Sequence, residues 1–197
     1  FHYDYAALDA DEGDHDEWNI RRLRIGPRVT LFRTLTFHGE VELDPQRADP
    51  LYVRFTDLYV QWIKSARIVL TIGKQSTPFT LDGATSSREI LTIDRSNLAN
   101  NLWFPQEYIP GVSVSGRRAP WIYRMGVYSA GGANRELGRF SGGVLALGVL
   151  GYDFSRSLGV KEALLTGNYV YQHPDRDNTF TRQLEHVGSI NFRFEDG

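Results

Sequence analysis

The sequence predicts an all-β fold, an antiparallel transmembrane β-barrel, on three observations. Segments rich in Val, Ile, Tyr, Phe and Thr follow one another with almost no helical periodicity. The connections between them alternate between short and long. Within the segments, apolar side chains alternate with polar ones, and arginines collect on one face.

Ten segments read as strands, over about 1–8, 19–32, 35–43, 53–63, 67–76, 111–118, 121–130, 142–154, 162–173 and 183–194. The first already has a strand-like pattern at Phe1. In the second, Leu23, Ile25, Val29 and Leu31 share one face, and Arg22, Arg24, Arg28 and Thr30 the other. In the third, Phe37, Val41 and Leu43 oppose His38, Glu40 and Glu42. In the fourth, Leu58, Val60 and Trp62 oppose Asp57, Tyr59 and Gln61. The fifth places Ile68, Leu70 and Ile72 together. The sixth and seventh meet at a short turn beside Trp121 and Tyr123. The eighth is apolar on both faces, through Val144, Leu145, Leu147, Val149 and Leu150, as a wall covered by a neighbour or a loop would be. The ninth is similarly mixed. In the tenth, Ile190, Phe192 and Phe194 oppose Ser189, Asn191 and Arg193.

Charge decides which face meets water. Arg22, Arg24 and Arg28 pointing into lipid would cost about 2–4 kcal/mol each near the midplane. The charged face therefore lines water and the apolar face meets lipid. A small soluble barrel reverses this arrangement. Phe37, Trp62, Trp121, Tyr123, Phe192 and Phe194 lie on the apolar face beside short turns, as an interfacial aromatic girdle would.

The connections near 33–34, 64–66, 119–120 and 155–161 are short, and those at 9–18, 44–52, 77–110, 131–141 and 174–182 are long. Transmembrane barrels have short periplasmic turns and longer extracellular loops. The 77–110 connection far exceeds the others, and loops of that length usually have a function.

Composition narrows the classes. The chain has 197 residues and a net charge of −2, with no strong global field for nucleic acid. It has no cysteine, which excludes disulfide frameworks, thiolate metal sites and cysteine nucleophiles. Lysine occurs only at Lys64, Lys74 and Lys161, so arginine, the bidentate partner of phosphate and carboxylate, supplies most of the positive charge. The longest apolar run, Val144 to Leu150, is far short of the roughly 20 residues of a membrane helix.

Residues 73–98 carry a resemblance. They read Gly73-Lys74-Gln75-Ser76-Thr77-Pro78-Phe79, then Thr85-Ser86-Ser87-Arg88-Glu89-Ile90, then Asp94-Arg95-Ser96. With the Arg21-Arg22 pair and Phe55-Thr56-Asp57-Leu58-Tyr59-Val60, the chain resembles the phosphate-selective porin O and P family. The resemblance implies a homotrimeric porin of the bacterial outer membrane with sixteen strands per subunit, about ten of them present here. It implies that 77–110 enters the lumen as a constriction loop. It places Arg21 or Arg22 at a basic pair on the lumen wall, Asp57 near the binding site, and Arg95 on the loop. Gly83 stands where the phosphate-selective members carry a lysine, with Arg88 nearby, so weaker phosphate block is expected than in those relatives.

The candidate anion path is thus Arg21, Arg22, Arg24, Arg28, Asp57, Arg88 and Arg95. Cations in a row lower the energy of an anion in the pore; the bland alternative pairs each with Glu40, Glu42 or Asp57. Glu40 and Glu42 are neighbours on one wall and do not flank a cleft as glycosidase carboxylates do. The five histidines lack zinc-motif spacing. The acidic stretch Asp9, Asp11, Glu12, Asp14, Asp16 and Glu17 lacks EF-hand spacing. No catalytic set, metal or cofactor is called for. The leading reading is a passive channel for small anions, possible phosphate among them, embedded in outer-membrane lipid. The alternative is a soluble or periplasmic ligand-binding β-barrel without channel activity. The chain reads as one domain over 1–197, expected to be incomplete at its C-terminus and cut at its N-terminus.

Overall fold

The computed structural model describes residues 2–8, 15–46, 49–77, 79–80, 108–129, 143–172 and 185–196, with side chains from residue 23 onward. The strands are β1 (His2–Leu8), β2 (His15–Ile25), β3 (Arg28–Leu31), β4 (Leu35–Leu43), β5 (Tyr52–Ser65), β6 (Ile68–Ser76), β7 (Tyr108–Arg118), β8 (Trp121–Ser129), β9 (Val144–Asp153), β10 (Glu162–Gln172) and β11 (His186–Glu195). One helical turn, α1 (Ser155–Leu158), joins β9 to β10. The strands form one antiparallel sheet ordered β1-β2-β4-β5-β6-β7-β8-β9-β10-β11, with β3 pairing β4. Among the described residues no ladder joins β1 to β11, so the sheet is open.

The strand expected over 19–32 is in fact two. Pro27 has no N–H for the ladder and breaks it. Gly26 permits the break, because a Cβ there would sit 1.9 Å from the Gly39 carbonyl oxygen. Gly39 N donates to Pro27 O at 3.1 Å and fills the gap. The expected 53–63 and 67–76 strands pair antiparallel, from Leu58↔Lys74 to Ser65↔Ile68. The segment expected from 111 starts earlier, at Tyr108. In the 155–161 connection, Asp153 accepts hydrogen bonds from Ser155 N at 3.0 Å and Ser155 Oγ at 2.5 Å, and Ser155 Oγ accepts from Ala163 N at 2.8 Å.

From β3 to β11 the outer face carries an apolar belt. Val29, Phe37, Val60, Trp62, Ile72, Val112, Met125, Leu150, Tyr169, Ile190 and Phe192 are exposed on it. Cross-strand partners share a face, and the register joins Val29↔Phe37↔Val60↔Ile72↔Val112↔Val127 in one row. The opposite face carries Thr36, Gln61 and Thr71 in one row, and Arg124 beside Val149 and Ser115 in another. Phe37, Trp62, Trp121, Phe192 and Phe194 are exposed near turn ends, where a girdle belongs. The buried apolar cluster sits on the other face: Ile109, Tyr128, Leu145, Leu147, Val170 and Val187, joined by Phe79.

That other face is concave. Arg24 on β2 reaches Tyr108 on β7, with Nη1 donating to the phenol oxygen at 2.8 Å. In sheet order β2 and β7 are separated by β4, β5 and β6. At about 4.8 Å per strand, a flat sheet would hold them about 19 Å apart. The contact requires the sheet to curl around the charged face.

Candidate pore-lining site

The inner face of β2–β5 holds a chain of charges centred on Glu42. Its carboxylate accepts from Arg54 Nε at 2.7 Å and lies 3.6 Å from Arg24 Nη2. The three side chains are largely shielded from solvent, Glu42 most of all. Burial makes the pairing necessary, because an unpaired carboxylate there would carry a full desolvation cost. The Arg24 guanidinium also lies over the Tyr108 ring, 5.2 Å from its centroid.

Next to this chain the β4–β5 ladder is irregular. Gly39 opposes Leu58, but Val41 opposes Phe55. The extra residue lets Thr56 and Asp57 both confront Glu40, as a bulge does. Thr56 Oγ1 donates to the Glu40 carboxylate at 2.8 Å and to the Glu40 carbonyl at 3.2 Å. Asp57 Oδ2 lies 3.9 Å from His38 Nδ1. The His38 ring packs edge-on against Tyr59, with centroids 5.2 Å apart.

Two arginines differ from Arg24. Arg28 stands opposite His38 in the β3–β4 ladder and is exposed; among the described residues it makes no ion pair. Arg124 on β8 is held by neutral oxygens: Nη2 donates to Gln75 Oε1 at 3.0 Å and to Ser76 O at 2.7 Å. Ser113 Oγ donates to the same Gln75 oxygen at 2.6 Å and fixes the amide. No carboxylate neutralises Arg124 among the described residues, and its buried Nε has no hydrogen-bond partner.

The structure therefore divides the sequence-predicted residues. Arg24 and Asp57 are brought to one wall, Arg24 paired and Asp57 beside His38. Arg28 lies nearer the Leu31–Leu35 turn on the same wall. Arg21 and Arg22 lie on β2, with Arg22 paired to His2 through the backbone ladder; their side chains lie outside the described part. Arg88 and Arg95, and with them Gly83 and most of 77–110, lie outside the described residues. Arg54, Tyr108 and Arg124 were missed by the sequence reading. Arg124 was legible: it alternates with Tyr123 and Met125 just as Arg24 does with Leu23 and Ile25. Arg54 was hidden by the bulge, which puts it out of phase with Asp57. Nothing local marks Tyr108, whose partner is 84 residues away. Among the described residues no group of His, Asp or Glu has the arrangement to hold a metal ion.

No curated protein and no solved structure matches this chain significantly. A family model does: phosphate-selective porin O and P matches residues 1–180. The apolar outer belt, the curled sheet and the arginine-lined inner face are what a porin wall requires, and the chain belongs to the phosphate-selective porin O and P family.

Proposed function

We propose that this chain forms the wall of an outer-membrane channel through which small anions, inorganic phosphate among them, diffuse passively. The observation that carries the reading is the pair of unneutralised arginines, Arg28 and Arg124, on a concave face whose reverse side is apolar. Charge lining a narrow aqueous path sets ion selectivity. On the β2–β5 wall Glu42 is shared by Arg24 and Arg54, while Glu40 meets the neutral Thr56 hydroxyl, which leaves its charge, and Asp57 lies beside His38. A permeating anion meets Arg28 and Arg124 as open partners. Arg21 or Arg22, and Arg95, belong to the same proposed path by their family positions, and Arg88 by its nearness to Gly83 in sequence.

The 77–110 connection is proposed as the constriction. Family membership also supports a trimer in outer-membrane lipid. A soluble ligand-binding barrel has no use for an exposed belt of Val, Ile, Phe and Trp. The test is reversal potential in planar bilayers, on the full-length protein, under a KCl gradient. A shift of the sign set by chloride supports the reading. A cation-selective potential refutes it.

A further inference from the structure

The short connections gather at one end of the sheet. Backbone hydrogen bonds tie them side by side: Ile63 N donates to Thr34 O at 2.6 Å, Arg117 N to Ala66 O at 2.9 Å, and Asp153 N to Pro120 O at 2.9 Å. The rim so formed covers 32–34, 63–67, 117–120 and 153–162, with 193–196 at the end of β11 beside them. It holds eight basic residues and four acidic ones, whereas the whole chain has a net charge of −2. The rest of the chain therefore carries the opposite excess, and positive charge is concentrated at this end.

The rim cations fall into two groups. Arg117 and Arg193 follow the inward phase of β7 and β11, in step with Ser115 and Asn191. Both are matched: Arg117 Nη2 lies 3.3 Å from Asp153 Oδ2, and Arg193 Nε lies 3.0 Å from Glu162 Oε2. Lys161 is paired as well, with Glu195. The other five, Arg33, Lys64, Arg67, Arg118 and Arg156, are exposed and make no ion pair among the described residues. Four of them stand by exposed apolar side chains. Arg33 follows Phe32, which is 86% exposed, and Lys64 comes two residues after Trp62. Arg118 is the ladder partner of Trp121, and Arg156 precedes Leu158 on α1. Like charges along one rim repel one another unless an opposite charge lies among them. Three of the four rim acids are taken up by the first group. The counter-charge for the second group therefore comes from outside the chain.

We propose that this rim binds the headgroups of anionic phospholipids in the leaflet at the short-turn end, which is the periplasmic end of a transmembrane barrel. The proposal rests on the lipid-facing assignment of the outer belt and goes beyond the channel reading. Exposed aromatic side chains of a barrel sit at headgroup level. Cations just past them meet lipid phosphates, to which arginine donates paired hydrogen bonds. A solute anion is the poorer match at this rim, because the cations in the inward phase are the ones the chain neutralises itself. Each Lys or Arg near an anionic membrane surface strengthens attachment about fivefold, and salt screens the effect.

The experiment uses the full-length protein in phosphatidylcholine vesicles. The probe is phosphatidylglycerol or phosphatidylcholine with a spin label on its chain. Electron spin resonance reads how much of each label is immobilised against the protein. At low salt the protein should prefer phosphatidylglycerol at least about threefold, and the preference should fall towards one in about 1 M NaCl. A quadruple variant, Arg33→Gln with Lys64→Gln, Arg118→Gln and Arg156→Gln, should bring it near one at low salt. Arg117→Gln with Asp153→Asn should keep the wild-type preference. Folding is checked by heat-modifiable mobility on gels. Should the quadruple variant not fold, the salt dependence of the wild type and the milder Arg33→Gln/Arg118→Gln variant decide. Equal immobilisation of the two labels by the wild type at low salt overturns the proposal. So does a preference that the folded quadruple variant keeps; a shifted reversal potential in that variant would then assign the rim to solute anions. If neither label is immobilised, the lipid-facing assignment fails and the proposal with it. None of these readouts needs a conducting channel, so the channel reading stands or falls separately.

Discussion

Single arginines on the inner face have different jobs because their partners differ. Arg24 shares the Glu42 carboxylate with Arg54, whereas Arg28 and Arg124 meet no carboxylate among the described residues. A unit charge about 8 Å from a permeating ion, at an effective dielectric near 40, is worth about 1 kcal/mol, or roughly a fivefold change in ion occupancy. Arg28→Gln and Arg124→Gln should therefore each lower the anion-to-cation permeability ratio by up to about 25-fold, since anion occupancy falls and cation occupancy rises by about fivefold each, and by less at high salt, where screening shortens the reach of the charge. Arg24→Gln removes the same unit charge and leaves Glu42 with Arg54 as its partner, so it should lower the ratio by a similar factor. Reversal potentials of the three variants at low and high KCl decide this. A much smaller loss for Arg24 would show that Glu42 takes up a proton or turns away once Arg24 is gone. Half of this distinction was legible in the sequence. The period-two pattern placed Arg24 and Arg28 on the wet face, and the same rule applied to 121–130 reveals Arg124. Pattern alone could not say which arginine Glu42 would take, because that depends on the β2–β4 register, Arg24↔Glu42.

The strands followed the alternation closely, and the departures sit where backbone chemistry overrides side-chain pattern. Val29 and Leu31 keep the phase of Leu23 and Ile25, which hid the break at Gly26-Pro27 although Pro27 itself signals one. The Glu40 bulge was invisible because a bulge changes the count of residues and not their type. The β3–β4 hairpin shows a third departure. Thr34 N donates to Leu31 O at 3.1 Å within the connection 32–34, and the two residues between them have positive φ, Phe32 at 51° and Arg33 at 58°. Such turns suit the strand twist but favour Asn and Gly. An ordinary side chain in the left-handed region costs roughly 1–2 kcal/mol. Arg33→Gly should raise stability by about 1 kcal/mol, with Phe32 left to anchor at the interface. Urea unfolding in lipid vesicles measures it. A lower midpoint would mean that the Arg33 side chain contributes more than its backbone strain removes.

For the whole molecule, everything depends on which face meets lipid, and that assignment can be tested without any channel recording. Two independent arguments support it. The sequence argument is the cost of arginine in hydrocarbon. The structural argument is curvature, because Arg24 and Tyr108 meet across intervening strands and so enclose the charged face. Ile190 lies mid-strand in β11, 82% exposed, with outward neighbours Phe192 and Phe194. Gln61 lies mid-strand in β5 on the inner face, half-buried beside Thr36 and Thr71. If the outer face meets lipid, Ile190→Arg should destabilise the full-length protein in vesicles by about 2–4 kcal/mol, the depth-dependent cost of arginine on a barrel's outer surface. The same substitution at Gln61 would place the guanidinium on the wet face, where snorkelling past apolar neighbours is unnecessary. Its effect should stay within about 1.5 kcal/mol, the scale of the hydrogen bond to Thr71 that it gives up. In detergent micelles the Ile190→Arg penalty should shrink, since a micelle lets water reach the belt more easily than a bilayer does. Equal penalties at the two positions, or a larger one at Gln61, would reverse the assignment of faces, and the anion path would then have to be sought on the side bearing Val60, Ile72, Val112 and Ile190.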